Sequence, residues 1–325
     1  MRLTRLFAIA AVPAVIFLGC TASPKNVDFD GYAIVYGVST YIDSLPESSY
    51  PNLPLPDDDA VSMAALLEKK GYTIISGGPR LNGEATKTNL LADVAEAALL
   101  ADENSTVVFY FAGHGVQSDL FSESAPSGEE SSDTDTYDSY DEWIMLYDSV
   151  HSDGASLSFT PDDAVYDDEL NTILSAIETP RKVVLIDACN SGGFIGESGV
   201  YDSIPQDVDG WLVIDGPFSA ALSLYFKTSY PDETNDVAPY QAFVFSASGE
   251  QELAYEDLSV GHGIFTYYLL ESGNSGDADG DGYVTVAESF LYVAEMIESN
   301  WNDYMPYGYW FHPHVSGNSV DIILF

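Results

Sequence analysis

Cysteine is almost absent from this chain of 325 residues, in which Cys20 and Cys189 are the only two. If Cys20 has another role, no intrachain disulfide can form, and the thiol of Cys189 is either a small buried hydrophobe or a reactive group. Basic residues are also scarce, because 10 Lys and Arg face 52 Asp and Glu, which gives a formal net charge of -42. This charge argues against nucleic acid as a partner and favours basic polypeptides and divalent cations.

The first 20 residues predict export of the chain. Arg2 and Arg5 precede an apolar run over 6–19, which is shorter than a comfortable membrane span. A small residue and then Cys20 end the run, an arrangement that resembles the bacterial lipoprotein signal and implies that Cys20 becomes the lipidated N-terminus. Ordinary secretion and an uncleaved anchor are the alternatives. We expect a signal peptide over 1–20, a linker over 21–30, and an exported lipoprotein of the bacterial cell envelope, held in the membrane by its lipid at the periplasmic face or the cell surface.

From residue 31 onward, apolar runs typical of strands alternate with stretches of helical periodicity. The predicted strands are 32–38, 72–76, 106–112, 182–187, 240–246 and 320–325. The predicted helices are 60–70, 87–101, 168–177, 264–271 and 287–300. This alternation indicates an α/β fold in which a mostly parallel six-stranded sheet is flanked by helices, with functional groups at the carboxyl ends of the strands. The acidic segment 119–141 has no apolar period and is expected to be an exposed insertion.

The third and fourth predicted strands lead directly to His114 and Cys189. In a parallel sheet, both residues emerge at the same edge. A cysteine nucleophile reacts as its thiolate, and imidazole is suited to take its proton near neutral pH. The backbone N–H groups of Gly115 and Cys189 are candidate donors for an oxyanion. A second interpretation remains open, in which His114 merely ends a strand and Cys189 packs in a core.

The segments around these residues resemble the two catalytic blocks of caspase-like peptidases of the peptidase C14 family, especially the bacterial and metacaspase members. The segments are VVFYFAGHG over 107–115 and VVLIDACNSGG over 183–193. Other segments resemble further family blocks in the same order: 32–41, 56–67, 138–148, 165–170, 245–256 and 261–270. The resemblance implies one caspase-like peptidase domain over 31–325, folded as a three-layer sandwich around a mostly parallel sheet.

The same resemblance assigns roles to the residues that match the family pattern. It implies a cysteine endopeptidase in which Cys189 is the nucleophile, His114 is the general acid/base, and the N–H groups of Gly115 and Cys189 form the oxyanion hole. Ala112 stands where the family usually has serine, and Asn190 stands where it has histidine or tyrosine. Neither departure removes a reacting group.

Scarce arginine bears on the preferred substrate. Binding an acidic P1 side chain needs buried cationic donors, and after the signal the chain has only Arg80 and Arg181. Asp59 and Asp187 instead resemble the positions that line the basic-specific pocket of metacaspases, which implies polypeptide substrates cleaved after Arg or Lys. The alternatives are that Asp59 supplies charge to a helix N-terminus and that Asp187 forms a strand-end turn.

Residues 277–288 fit the spacing of a calcium-binding EF-hand loop. The ligands would be side chains at five positions and the backbone carbonyl of the sixth: Asp277, Asp279, Asp281, Thr285 and Glu288, with the carbonyl of Tyr283. A solvated acidic turn is the alternative. A second calcium site is implied by resemblance at Asp148, Asp167 and Asp168, where a plain surface cluster is the alternative.

A non-enzymatic function is the competing hypothesis. In it, the chain is a calcium-binding surface lipoprotein that uses a caspase-like scaffold without catalysis. The reactivity of Cys189, and its dependence on His114, separates the two hypotheses. Calcium is the expected cofactor in both, and the dyad chemistry itself requires none.

Overall fold

The computed structural model describes residues 29–41, 52–118, 141–152, 157–190, 211–214, 242–247, 254–316 and 321–325. The predicted signal peptide with Cys20 and nearly all of the acidic insertion lie outside these ranges. Within them, no helix combines the length and apolar character needed to cross a bilayer.

A mostly parallel sheet forms the centre of the fold. The strands of the described residues are β1 Gly31–Gly37, β2 Tyr72–Ile74, β3 Arg80–Leu81, β4 Thr106–Ser118, β5 Asp141–Ile144, β6 Val150–Ser152, β7 Leu157–Phe159, β8 Val165–Tyr166, β9 Arg181–Asn190, β10 Trp211–Ile214, β11 Ala242–Ser246, β12 Ala254–Asp257, β13 His262–Gly263 and β14 His314–Ser316. Six strands form its main path in the order β14-β11-β9-β4-β1-β2, and all neighbours are parallel except β14, which is antiparallel to β11. The predicted α/β fold with a mostly parallel sheet is thereby confirmed.

Helices cover both faces of this sheet. They are α1 Pro56–Lys69, α2 Lys87–Leu100, α3 Asp167–Leu174, α4 Ile264–Ser275 and α5 Val286–Asn300. Alternate side chains of each strand point to opposite faces, so β1 contributes Val35 to a core under α1, α4 and α5 and Tyr36 to a core under α2 and α3. Three layers result because each helix buries one apolar stripe against the sheet.

Two predicted strands end later than expected. The apolar runs end at Ala112 and Asp187, but β4 continues to Ser118 and β9 to Asn190. The extension of β4 is paired on its far side with β5, which lies in a segment too polar to be recognised as a strand. Tertiary pairing thus extended strands whose sequence signal had already ended.

The prediction of a sixth strand over 320–325 is wrong. The sixth strand of the path is β14, because residues 314–316 pair with β11. The described C-terminal residues 321–325 instead pair with the residues that precede α5: Ile323 bridges Thr285, and Val284 donates its N–H to the carbonyl of Phe325. An apolar run of this length does not itself specify which edge it pairs with.

Beside the main sheet lies a small antiparallel sheet with the order β10-β12-β13. In it, Glu256 of β12 is directly opposite Gly263 of β13 and Leu212 of β10. Helix α4 begins at the residue that follows Gly263. This small sheet brings polar residues from the last third of the chain to the carboxyl edge of β9.

Candidate active site

His114 and Cys189 are paired residues on adjacent strands. The register of β4 and β9 places Gly113 beside Ala188, His114 beside Cys189 and Gly115 beside Asn190. Neighbouring strands lie about 4.8 Å apart, so the two backbones are as close as a sheet allows. The two residues whose types suit a thiol–imidazole pair are therefore adjacent at one edge of the sheet.

The backbone and ring of His114 are held by their surroundings. Its side chain is 4% exposed, and its ring centroid lies 5.3 Å from that of Tyr41. The N–H of His114 donates to the Tyr41 hydroxyl at 2.9 Å, and its carbonyl accepts from the N–H of Met145 at the same distance. Tyr41 and Met145 therefore hold the backbone of His114, and the ring of Tyr41 also packs beside its imidazole.

Gly115 follows His114 at the point where β4 is paired on both sides. Its Cα partners are Ile144 of β5 and Asn190 of β9. This pairing places the backbones of Gly115 and Cys189 at the same end of the sheet, where the predicted oxyanion donors were expected.

Asp59 and Asp187 lie close together in the structure, although they are 128 positions apart in the sequence (187 − 59 = 128). Both are buried, and Gly263 lies between them: a Cβ added there would be 2.7 Å from Oδ2 of Asp187 and 3.2 Å from Oδ2 of Asp59. Only glycine allows both carboxyls to approach this closely. The two aspartates thus form a buried pair, and their role in a substrate pocket stays a prediction.

The side-chain contacts of both aspartates differ from the bland alternatives. Asp59 lies in the first turn of α1, but its carboxyl accepts from the Gly263 N–H at 3.0 Å and lies 2.6 Å from Nδ1 of His262. Asp187 lies inside β9 and accepts the N–H and the hydroxyl of Thr266 on one oxygen, Oδ2. Asp59 thus combines a place in the first turn of α1 with contacts to a distant segment, and the carboxyl of Asp187 binds Thr266 rather than a turn of its own strand.

Sequence reasoning missed two residues of this group, Glu256 and His262. Glu256 is 0% exposed, and no described group meets the distance and angle of a hydrogen bond to either of its carboxyl oxygens, although the Leu55 N–H lies near enough to lower its pKa. His262 is an ion-pair partner of Asp59. Both lie in segments that resemble family blocks, but no local spacing connects them to residues 59 and 187, so only the fold reveals the cluster. We call Asp59, Asp187, Glu256 and His262 the acidic cluster.

Burial and mutual repulsion control ionisation in the acidic cluster. Burial, with the nearby charge of Asp59, raises the pKa of Asp187 to about 7. The same two causes raise the pKa of Glu256 well above its usual range, Asp187 adds to the repulsion, and the Leu55 N–H opposes it weakly. The pKa of His262 is raised by its hydrogen bond to Asp59, whose own pKa burial also raises. The negative charge of the ionised carboxyls in the cluster is therefore only partly balanced by neighbouring groups.

The two arginines after the signal are bound elsewhere. Arg80 donates to both carboxyl oxygens of Asp93, at 2.9 and 2.7 Å. Arg181 donates to the carbonyl of Asn104 at the opposite end of β9 from Cys189. Arg181 and Cys189 are eight positions apart on β9, which corresponds to about 26 Å along the strand. Neither guanidinium thus lies where it would bind an acidic P1 side chain.

The predicted calcium loop connects α4 and α5. Carboxylate oxygens of Asp277, Asp279 and Asp281 lie within 4.8 Å of one another, and within the described part of the chain theirs is the one such group. Gly282, at the sharp turn, has φ +95°, which favours glycine. Glu288 caps α5 with Thr285 and also accepts the N–H of Ala278. The donor set and turn therefore fit a divalent cation with oxygen ligands.

The second predicted calcium site is less completely described. Asp148 lies in the turn after β5 and is partly buried, and Asp167 and Asp168 begin α3. The side chains of Asp167 and Asp168 lie outside the description, so this site stays a prediction.

Comparisons with known proteins agree with the fold. Residues 30–308 match the family described as the caspase domain, peptidase C14. Protein GSU0716 from Geobacter sulfurreducens has a similar structure, with 17% identity, a TM-score of 0.55, and coverage of 91% of this chain and 97% of that one. Caspase-1 from Spodoptera frugiperda is 11% identical with a TM-score of 0.46, over 95% of this chain and 94% of that one.

No curated protein sequence matches the chain significantly. At this level of identity, the structural likeness to the Geobacter protein supports the fold alone. The family match, by contrast, extends from the start of β1 to the residues just before β14, so it includes both strands of the thiol–imidazole pair. The chain belongs to the caspase-domain family of cysteine peptidases.

Proposed function

We propose that this protein is a cysteine endopeptidase that uses His114 and Cys189 as its catalytic dyad. The observation that carries the proposal is the direct pairing of these two residues on β4 and β9. Family membership supports polypeptides as substrates.

The dyad supplies a complete route for peptide hydrolysis. His114 takes the thiol proton, the thiolate of Cys189 attacks the scissile carbonyl, and the N–H groups of Gly115 and Cys189 stabilise the resulting oxyanion. The imidazolium then gives its proton to the departing amine, leaving an acyl-enzyme. Water, deprotonated by the same imidazole, releases the acid and restores the thiol.

For specificity, we propose cleavage after Arg or Lys, with Asp59 and Asp187 binding the basic side chain. Oδ1 of Asp187 is buried without a hydrogen-bond partner in the described structure, so it is available to a cation. A buried negative charge that is only partly hydrogen-bonded is costly, and a bound cation would lower that cost. The placement of Arg80 and Arg181 argues against an acidic P1 residue.

Peptide reporters that differ only at P1 test the activity and specificity together. The chain from residue 21 onward is assayed with Arg, Lys, Asp and Ala at P1, and its thiol is labelled with an arginine chloromethylketone. We expect cleavage of the Arg and Lys reporters and labelling that is lost in Cys189→Ala and His114→Ala. An inert Cys189 would instead support the non-catalytic calcium-binding lipoprotein.

We further propose that the loop over 277–288 binds calcium. Asp277, Asp279, Asp281, Thr285 and Glu288 would offer side-chain oxygens, and Tyr283 its backbone carbonyl; the ion would fix the α4–α5 connection. Calorimetric titration of calcium into the chelator-treated protein measures this directly. Loss of one bound ion in Asp279→Ala is the expected result, and unchanged binding would remove the loop as the site.

Two further proposals concern parts of the chain with less structural support. The second calcium site at Asp148, Asp167 and Asp168 is tested by a second binding step that Asp148→Asn removes. Attachment to the cell-envelope membrane through Cys20 is tested by labelling of the full chain with radioactive palmitate in a bacterial host. Persistent labelling in Cys20→Ala would show that the anchor lies elsewhere.

A further inference from the structure

A gap in the backbone pairing of β4 lies directly at His114. On one side of β4, the pairing with β1 ends at Ala112, whose carbonyl accepts the N–H of Val38. On the same side, the pairing with β5 begins only at Gly115. A buried N–H without an acceptor costs free energy, so the N–H of His114 needs an acceptor that neither ladder supplies.

The side chain of Tyr41 closes this gap. Its hydroxyl accepts the N–H of His114 at 2.9 Å, in the place where a longer β1 would offer a backbone carbonyl. The ring of Tyr41 also packs beside the imidazole, with the two planes tilted by 35°. Both side chains are buried. One residue therefore contacts the backbone and the ring of the proposed acid/base at the same time.

Gly113 leaves the space that this hydroxyl occupies. A Cβ added at Gly113 would lie 3.3 Å from the hydroxyl oxygen of Tyr41 and 2.9 Å from the ring of Phe111. Contacts this short force a neighbour to move, so a larger residue would displace the hydroxyl or the ring. The glycine that precedes His114 thus permits the contact between Tyr41 and the histidine backbone.

Two asparagines from distant segments hold the turn that carries Tyr41. Oδ1 of Asn82 accepts the N–H groups of Ser39 and Thr40, at 2.8 and 2.9 Å. Oδ1 of Asn52 accepts the N–H of Tyr41 at 3.2 Å. Three successive backbone donors are thereby bound by side-chain oxygens, so this turn depends on these two side chains rather than on a strand ladder.

Asn82 is itself held in an uncommon backbone conformation. Its φ is +46°, in the left-handed region that asparagine tolerates better than most residues. Its Nδ2 donates to Oδ2 of Asp57 at 2.9 Å, and Oδ1 of the same carboxyl accepts the hydroxyl of Ser39 at 2.6 Å. Hydrogen bonds therefore connect the start of α1, through Asn82 and the turn, to Tyr41 and His114.

We propose that Tyr41 is a positioning residue that keeps His114 in the orientation needed to take the thiol proton of Cys189, and that Asn82 acts through Tyr41. A general base must stay within hydrogen-bond reach of the proton that it removes, and small misplacements are costly. Tyr41 acts in this role through His114 and not on the substrate. The inference rests on the proposed function, because it assumes that His114 and Cys189 react together.

The reactivity of the Cys189 thiol, measured without any substrate, tests this role. The chain from residue 21 onward contains no other cysteine, so its alkylation by iodoacetamide can be followed from pH 5 to pH 9. A well-placed imidazole stabilises the thiolate and lowers the thiol pKa. We expect Tyr41→Phe to slow alkylation at pH 6 by about 10-fold, as for a rise of about one unit in the thiol pKa, and to change the rate at pH 9 by less than about 2-fold.

Cleavage of the Arg and Lys reporters adds a second measurement. Because phenylalanine keeps the ring and loses only the hydroxyl, substrate binding should be preserved. We expect kcat of Tyr41→Phe to fall by about 10-fold and KM to change by less than about 2-fold, as for a loss that affects the chemical step alone.

Tyr36→Phe is the matched control. Tyr36 is also a buried tyrosine, but its hydroxyl donates to Asp93 of α2, at 2.6 Å, rather than contacting His114. This variant should lower the urea midpoint and leave the pH profile of alkylation unchanged. Urea unfolding of Tyr41→Phe verifies that it is folded.

Asn82→Gly tests the more distant part of the proposal. Glycine accepts the left-handed φ, so this variant removes the side chain without adding backbone strain. It should slow alkylation at pH 6 by about 3-fold or more, and combining it with Tyr41→Phe should slow the reaction no further than Tyr41→Phe alone, because both act on His114 by the same route. If Tyr41→Phe does not fold, Asn82→Gly decides the proposal by the same measurement.

The outcomes separate the inference from the proposed function. An alkylation profile of Tyr41→Phe that equals that of wild-type protein or shifts no more than that of Tyr36→Phe overturns the role of Tyr41, and a strong effect of His114→Ala would then leave the dyad in place. Alkylation that does not depend on His114 defeats the proposed function, and the inference with it. Additive slowing in the double variant overturns the part assigned to Asn82.

Discussion

Replacing Asp187 by Asn should stabilise the protein, and the gain should grow with pH. Asp187 is fully buried, and only its Oδ2 is hydrogen-bonded, to Thr266. Asparagine preserves the shape and keeps an oxygen for Thr266, but it cannot ionise. The variant therefore isolates the cost of a buried negative charge at the proposed substrate site.

The pKa of Asp187 gives the magnitude and the sign. Burial and the charge of Asp59 raise this pKa from 3.8 to about 7. The folded state then binds more protons than the unfolded state between these values, so stability falls as pH rises through that window. The shift corresponds to a penalty of ~2 kcal/mol at pH 5 and ~4 kcal/mol at pH 8.5, so the gain from Asp187→Asn should increase by ~2 kcal/mol between them.

Urea unfolding of wild-type and variant protein at both pH values measures this difference. The hydrogen bonds from Thr266 favour the charged form of Asp187 and are already included in its pKa, whereas those of the asparagine variant do not change with pH. Asp303→Asn, at an exposed position, is the matched control for the loss of a carboxyl. A gain in Asp187→Asn that is equal at pH 5 and pH 8.5, or larger at pH 5, would refute the reasoning. The same variant should lose cleavage of Arg and Lys reporters.

Three further changes test neighbouring features. Gly263→Ala places a methyl group 2.7 Å from a carboxyl oxygen, so it should lower the free energy of unfolding by about 1–3 kcal/mol. Gly83→Ala is the control, because its nearest neighbour lies at 3.7 Å, and it should not lower this free energy. Equal urea midpoints for the two variants would contradict this prediction. His262→Asn removes the ion pair with Asp59. Because folding raises the pKa of His262, the resulting loss of stability should be complete below pH ~6.5 and should shrink as pH rises through the pKa of the folded state. A loss of stability that stays constant up to pH 9 would contradict this. Glu288→Gln should reduce the rise in Tm that calcium produces. In wild-type protein, a free calcium concentration of 100 times Kd corresponds to a stabilisation of about 2.7 kcal/mol. An unchanged rise in Tm would exclude Glu288 as a calcium ligand.

Much of the fold could be predicted because its signals are local. The runs over 32–38 and 106–112 are apolar on both faces, as strands buried between two helical layers must be. The helices over 87–101 and 287–300 show helical periodicity and are observed at Lys87–Leu100 and Val286–Asn300. The strand assigned to 320–325 failed because its apolar residues pair with the start of α5 rather than with the sheet.

The site was predictable in part for the same reason. His114 and Cys189 follow apolar strands, and parallel pairing brings strand ends to one edge, so their proximity could be expected before the register was known. Glu256 and His262 could not be identified this way. They lie near Asp59 and Asp187 because Gly263 leaves room for two carboxyls from distant elements, and no sequence spacing encodes such a contact.

The sequence by itself determined the α/β layering, the thiol–imidazole edge and the abundance of acid, because apolar periodicity, strand ends and composition are properties of neighbouring residues. Only the tertiary structure decided which acidic residues are buried together. It buried Asp59 and Asp187 against Gly263 and placed Glu256, also buried, on the strand opposite that glycine. Burial, which depends on the packing of the whole chain, is what turns a common residue type into a charged site with altered chemistry.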